Sequence, residues 1–326
     1  MTQSPRGAAE FDLIARIRAR VDIRVDTRDD VVLGIGDDAA LLQVPGGKLL
    51  VVATDTLNNG VHFPEETAAA DVGWKALAVN LSDLAAMGAQ PAWCTLSLSL
   101  PDANAAWLDA FLDGFLALAN RHRVALVGGD TTRGPLSICV TAHGFVDAAK
   151  TLRRDAAQMG DDIWVTGTLG DAAAALVQWR SGQGIDPWLR KRLERPTPRI
   201  EAGLALADLA HACIDVSDGL LADLGHVCMA SRVAAEVDLH ALPSSDALLS
   251  LFDAGQRQRM QAGGGDDYEL CFTAPTLARV EIAEAANQCN IAMARIGRIV
   301  KGEGVRVLLA DGSDWASLDA GYVHFA

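Results

Sequence analysis

Short β-branched runs alternate with stretches of helical period along most of the chain. Segments 31–33, 40–44, 49–54, 93–100, 124–127 and 136–145 have the length and residue type of strands. The spacing predicts a helix over about 68–87, stopped by Gly88 and Pro91, and another over about 105–121. In the latter, Trp107, Leu108, Phe111, Leu112, Phe115 and Leu118 share a face. Near the start, Phe11, Leu13, Ile14 and Ile17 alternate with Arg16, Arg18 and Arg20, as in an amphipathic helix laid on a core.

The pattern breaks at 147–162, a polar and charged stretch (DAAKTLRRDAAQMGDD), which predicts a boundary between domains 1–148 and 149–326. Beyond it, strands are expected at 163–166, 212–216 and 269–272. Helices are expected at 170–180, 218–229 and 277–289, with a looser helical region around Pro187, Pro196 and Pro198. The fold class is therefore α/β (α+β), two-domain, with a mixed-sheet first domain and a layered αβ second domain.

Composition narrows the function. The chain has 326 residues, half of them hydrophobic, and a formal net charge of −14. Such a surface is a poor match to nucleic-acid phosphates. No apolar run approaches the ~20 residues that a membrane span requires. The amino terminus lacks the basic region and apolar stretch of a signal peptide. The six cysteines, Cys94, Cys139, Cys213, Cys228, Cys271 and Cys289, form no C-x-x-C pair, as expected of reduced thiols in the cytoplasm.

One chemical pattern recurs. Apolar segments lead into an aspartate beside glycine, serine or threonine: GIGDDA (Asp37, Asp38), VVATDT (Asp55), LVGGDTTRG (Asp130), CIDVSDG (Asp215, Asp218) and GGGDDYEL (Asp266, Asp267). Asp83 lies three residues after Asn80 on one face of the 68–87 helix. Any one of these is an ordinary turn or cap residue, and Asp218 is placed to cap its own helix. Together they form a set of hard oxygen donors with little histidine or cysteine, which points to Mg²⁺ rather than zinc, and so to a phosphate-bearing substrate. GIGDDA is not a dinucleotide fingerprint, since the strand-like 40–44 follows where a helix is required. No P-loop is present; Arg133 and the glycines of GGDTTRG are the available phosphate cradle.

In this order, EFDLIARI, GIGDDAALL, TDTLNNGVHF, KALAVNLSDLAAMGAQP, GGDTTRGPL, VTGTLGD, IDVSDGLLADLGH and GGGDDYELCFT, with GYVHF near the end, resemble the thiamine-monophosphate kinase family. That family lies in the aminoimidazole-ribonucleotide-synthetase-like ATP-binding superfamily. The resemblance implies phosphoryl transfer from ATP to thiamine monophosphate, several Mg²⁺ ions, and a homodimer built through a β-barrel shared by the first domains. By matched motif it implies metal positions at Asp38, Thr54, Asp55, Asp83, Asp130, Asp215 and Asp218. ATP contacts are implied at Gly129, Asp130, Arg154 and Ser217, and substrate contacts at His62, Asp266 and Tyr322.

Two positions depart from the family pattern: Asp266 stands where glutamate is usual, and Ala53 where serine is common. The attacking group would be an ionised phosphate oxygen, so no general base is expected. Tyr322 offers a face to a cationic ring. Another ATP-using member of the superfamily is the nearest alternative. A phosphatase with a nucleophilic aspartate would need D-x-D where CIDVSDG offers D-x-x-D.

Overall fold

The computed structural model describes residues 6–25, 28–182 and 184–315. It divides into two compact units, Met1–Leu84 with Gln90–Ala148, and Ala85–Ala89 with Ala149–Ala326.

The first unit contains, in chain order, α1 (Arg6–Val25), β1 (Val31–Leu33), β2 (Leu41–Leu42), β3 (Lys48–Asn58), most of α2 (Ala69–Ala86), β4 (Gln90–Leu100), α3 (Ala105–Arg121), β5 (Ala125–Arg133) and β6 (Ser137–Asp147). Four strands form a mixed sheet in the order β3-β6-β4-β5, with β4 and β5 parallel and the other pairs antiparallel. The short β1 and β2 pair separately.

The helix read over 105–121 is realised as α3. Asn104 caps it by accepting the Trp107 N–H, and Leu108, Phe111, Leu112, Phe115 and Leu118 are buried. α2 and α3 approach closely through a pair of glycines. A Cβ on Gly114 would sit 1.7 Å from the Ala70 carbonyl oxygen, and one on Gly73 would sit 2.0 Å from that of Phe111. Backbone occupies the space that side chains would otherwise fill. α1 lies against β5 and α3, with Arg16 paired to Asp109 and Arg20 to Asp113.

The second unit adds β7 (Asp162–Thr166), α4 (Asp171–Arg180), α5 (Pro187–Glu194), α6 (Ile200–Leu206), β8 (Ala212–Asp215), α7 (Leu220–Ser231), β9 (Ala234–Asp238), α8 (Asp246–Leu251), α9 (Ala254–Gly263), β10 (Leu270–Ala274), α10 (Arg279–Cys289), β11 (Met293–Val300) and β12 (Gly304–Leu308). Its six-stranded sheet runs β12-β9-β11-β7-β10-β8, antiparallel except for the β12–β9 pair. α7 packs on β8, β9 and β12, and Ile163, Val165, Ile214, Leu224, Val237 and Ile296 form part of the core.

The sequence pattern and the structure differ in detail. The expected helix at 218–229 starts at Leu220, after a glycine N-cap. The expected helix at 277–289 opens as a 3-10 turn, Thr276–Ala278. α8, α9, β9, β11 and β12 are additional to the elements expected from the pattern. α9, AGQRQRMQAG, has almost no apolar face; a capping box between Asp253 and Gln256 starts it. Among the described residues no helix is long and apolar enough to cross a membrane.

Candidate active site

In the first unit, the carboxylates gather where β3 meets α2. Side chains alternate along β3, so Thr54 and Asp55 face opposite sides. The Thr54 hydroxyl donates to that of Thr141 on β6 at 3.0 Å. On the other face, the Asp55 N–H donates to Asn80 Oδ1 at 3.0 Å, while Asn80 Nδ2 donates to the Ala76 carbonyl at 3.1 Å. The fully buried Asn80 thus ties the strand to the helix.

One turn on, Asp83 is hydrogen-bonded to the Asp55 side chain. Burial raises the Asp55 pKa, while the bond to Asp83 and the nearby His62 oppose the rise. Two carboxyl groups in direct contact require a shared proton or a cation. His62 sits on the turn after β3. Its Nδ1 accepts the Asn58 N–H at 3.0 Å, and its carbonyl accepts the Lys75 ammonium at 3.1 Å.

Asp38 and Asp130 lie elsewhere in this unit. Asp38 is exposed in the 34–38 loop, its N–H donating to Asp37 Oδ1 at 2.8 Å. The Arg18 guanidinium lies against Gly36 of that loop, where a Cβ would come within 2.6 Å of Nη1. Asp130 is exposed on β5 and accepts the Thr131 N–H. Strand register puts Gly128, one residue before Gly129, in line with Thr95, Thr141 and Thr54. The Gly129–Asp130 pair and the Thr54–Asp55 pair therefore occupy opposite edges of the sheet, about 14 Å apart along it. Gly129 has φ +150°, and a Cβ on it would meet the Leu96 carbonyl oxygen at 1.9 Å, so only glycine fits.

In the second unit, the site grows from the end of the β8–β10 ladder. Beyond the strands, the Val216 N–H donates to Glu269 O, Tyr268 N–H to Val216 O, and Asp266 N–H to Ser217 O, each at 2.8 Å. The VSDG and GGGDDYEL segments are zipped together by these bonds. They bring the buried Asp215 and the half-buried Ser217, Asp218 and Asp266 into one neighbourhood.

Asp218 does not cap its helix. Asp223 reaches back from the first turn of α7, and its Oδ2 accepts the N–H groups of Ser217, Asp218 and Gly219 at 3.0, 3.1 and 3.2 Å. Burial, with the charges of Asp215 and Asp218, pushes the Asp223 carboxyl up to about 7. Arg154 lies beside β8, in a segment whose Arg153 bridges to Ala212, and its carbonyl accepts the Ser231 hydroxyl at 2.9 Å. Tyr322 lies outside the described residues.

The sequence reading missed Asp223, Arg18 and Tyr268 as parts of these loops. An aspartate in the first turn of a helix is the one local signal for Asp223; the other two act through distant or strained backbone. Among the described residues, no three His, Cys, Asp or Glu side chains gather closely enough to hold an ion by themselves. Mg²⁺ is commonly held by one or two carboxylates, with waters and substrate phosphates supplying the rest.

Residues 36–146 match the model of the AIR synthase related protein, N-terminal domain, and residues 158–310 match that of its C-terminal domain. A thiamine-monophosphate kinase of Salmonella typhimurium is 48% identical over 97% of this chain and 98% of its own length. This chain belongs to the thiamine-monophosphate kinase family.

A family member from Escherichia coli K12 is 47% identical over the same shares. The crystal structure of the kinase from Stenotrophomonas maltophilia K279a is 56% identical, covering 91% of this chain and 96% of that one, with a TM-score of 0.87. AaThiL, solved in complex with AMPPCP and TMP, is 32% identical over 100% of both chains, with a TM-score of 0.76. The hydrogenase maturation protein HypE of E. coli, at 21% identity and a TM-score of 0.75, shares the fold.

Proposed function

We propose that this chain transfers the γ-phosphoryl group of ATP to thiamine monophosphate, giving thiamine diphosphate and ADP, the last step in making that diphosphate. The observation that carries the reading is end-to-end similarity to thiamine-monophosphate kinases, including one solved with AMPPCP and TMP.

The residues fit Mg²⁺. The Asp55–Asp83 contact, with the side-chain oxygen of Thr54 on the other face of β3, offers hard donors and no soft ones. Asp38, Thr54, Asp55, Asp83 and Asp130 in the first unit, and Asp215 and Asp218 in the second, would hold the ions. When bound, Mg²⁺ supplies charge neutralisation between donor and acceptor phosphates.

The chain's own groups then bind and orient. Gly129 and Asp130 present backbone and carboxylate to ATP, together with Arg154 and Ser217. His62, Asp266 and Tyr322 contact thiamine monophosphate. The attacking phosphate oxygen is already ionised, so no side chain needs to take a proton, and catalysis is positioning and charge compensation. A cationic thiazolium ring suits the acidic surroundings of Asp266.

Residues 1–148 form the ATP, Mg²⁺ and dimerisation domain, and 149–326 the αβ domain that completes the fold. Two copies pair through a shared β-barrel of first domains. In support, β3 is an edge strand whose Leu49, Leu50 and Val52 are 52%, 44% and 54% exposed, an apolar edge that a second copy would cover. The enzyme works in the cytoplasm on small molecules, without nucleic acid or membrane.

Product analysis tests the assignment. With Mg²⁺ and ATP, thiamine monophosphate should yield thiamine diphosphate and ADP in equal amounts, and free thiamine should yield nothing. Turnover of the substrates of other AIR synthase related enzymes, with none of thiamine monophosphate, would refute it.

A further inference from the structure

Asp266-Asp267-Tyr268 holds more strain than a turn requires. Asp266 and Tyr268 have φ of +67° and +49°, the left-handed region that non-glycine residues occupy only when their surroundings insist. Those surroundings are visible. Asp267, between them, is 1% exposed and accepts the Gly170 N–H at 2.8 Å. Arg192, itself buried, donates through Nη2 to the Asp267 carbonyl at 3.1 Å and to Glu269 Oε1 at 2.9 Å. Asp266 and Tyr268 are bonded by their N–H groups to the 216–217 backbone. In this backbone the Tyr268 hydroxyl reaches Asp266 Oδ1 at 2.9 Å.

Glycine at either strained position would be the undemanding choice. A phenol donating to a carboxylate forms a charge-assisted bond and limits the carboxylate to one direction. Asp266 is also one methylene shorter than the glutamate usual in the family, so its reach depends on where its backbone and the oxygen bonded to Tyr268 are fixed.

We propose that Tyr268 is a positioning residue for acceptor recognition: its hydroxyl aims the shortened Asp266 carboxylate at thiamine monophosphate. This rests on the reading given under Proposed function. Tyr268 touches neither phosphate nor metal in this role; it acts through Asp266.

Steady-state kinetics of Tyr268→Phe, which removes one oxygen and keeps the ring, test it. The KM for thiamine monophosphate should rise about tenfold, with kcat and the KM for ATP within about twofold. Asp266→Ala should raise the acceptor KM by itself, and Tyr268→Phe should add nothing in that background. An unchanged acceptor KM in Tyr268→Phe, equal rises for both substrates, or full additivity in the double variant would overturn the proposal. Absence of wild-type turnover on thiamine monophosphate would instead strike the functional reading beneath it.

A second measurement does not depend on Tyr268→Phe folding. The chain has two tyrosines, Tyr268 and Tyr322. 3-Fluorotyrosine labelling therefore gives two ¹⁹F resonances, which Tyr322→Phe assigns. The Tyr268 resonance should shift in Asp266→Ala and on adding thiamine monophosphate, and should ignore Mg-ATP. A resonance indifferent to Asp266→Ala would overturn the proposal.

Discussion

Asp55, near the end of β3, and Asp83, in the last turn of α2, are hydrogen-bonded through their side chains, and Asn80 fixes the strand backbone beneath them. Two half-buried carboxyl groups in this arrangement oppose folding unless a proton or a cation lies between them. Asp83→Asn keeps a hydrogen-bonding side chain and removes one charge. In chelator, this variant should melt about 2–4 °C above the wild type, while kinase activity falls by at least about a hundredfold. Thermal melts with parallel assays decide it. A lower melting temperature would mean that the pair is structural.

The helix crossing at Gly73 and Gly114 leaves no space for a side chain. Gly114→Ala drives a methyl group into the Ala70 carbonyl, 1.7 Å away, and should cost about 1–3 kcal/mol. Gly225, inside α7, has nothing within 4 Å of the same added atom, so Gly225→Ala should stabilise by about 0.5–1 kcal/mol. Urea midpoints of the two variants should move in opposite directions.

Asp30 gives a pH dependence with a definite sign. Burial pushes its carboxyl up, but hydrogen bonds from Arg28 and Trp93, with the Arg28 charge, outweigh it and hold the group below the ordinary range. A carboxyl lowered in the folded state contributes stability above its unfolded pKa, and that contribution is lost as pH falls through the folded value. Arg28 clasps Asp30 at 2.8 and 2.6 Å. Arg28→Ala should therefore cost about 1–2 kcal/mol at pH 7 and measurably less near pH 3. Urea titrations at the two pH values measure the difference; an equal cost at both would contradict it.

Much of the scaffold was legible because its signals are local. α3 shows an apolar stripe and an asparagine cap within one short window, and the glycine at 88 ends α2 as expected. α9 was illegible because a capping box and its tertiary setting hold a polar segment that lacks periodicity. β9 and β12 are short, and their pairing joins residues some 70 apart in the chain. The same contrast runs through the site. The aspartates announce themselves beside glycine and serine, whereas Asp223 and Arg192 earn their roles from hydrogen bonds to backbone, and Tyr268 from one to the Asp266 carboxylate, at places only the fold determines.

The central claim is that these carboxylates serve phosphoryl transfer by holding cations, with no acid–base residue among them. Its most direct test is turnover of thiamine monophosphate by Asp55→Asn with saturating Mg²⁺ and ATP, alongside circular dichroism to verify the fold. The account predicts a folded protein whose rate falls by about a thousandfold or more. Undiminished turnover by that folded variant would contradict it.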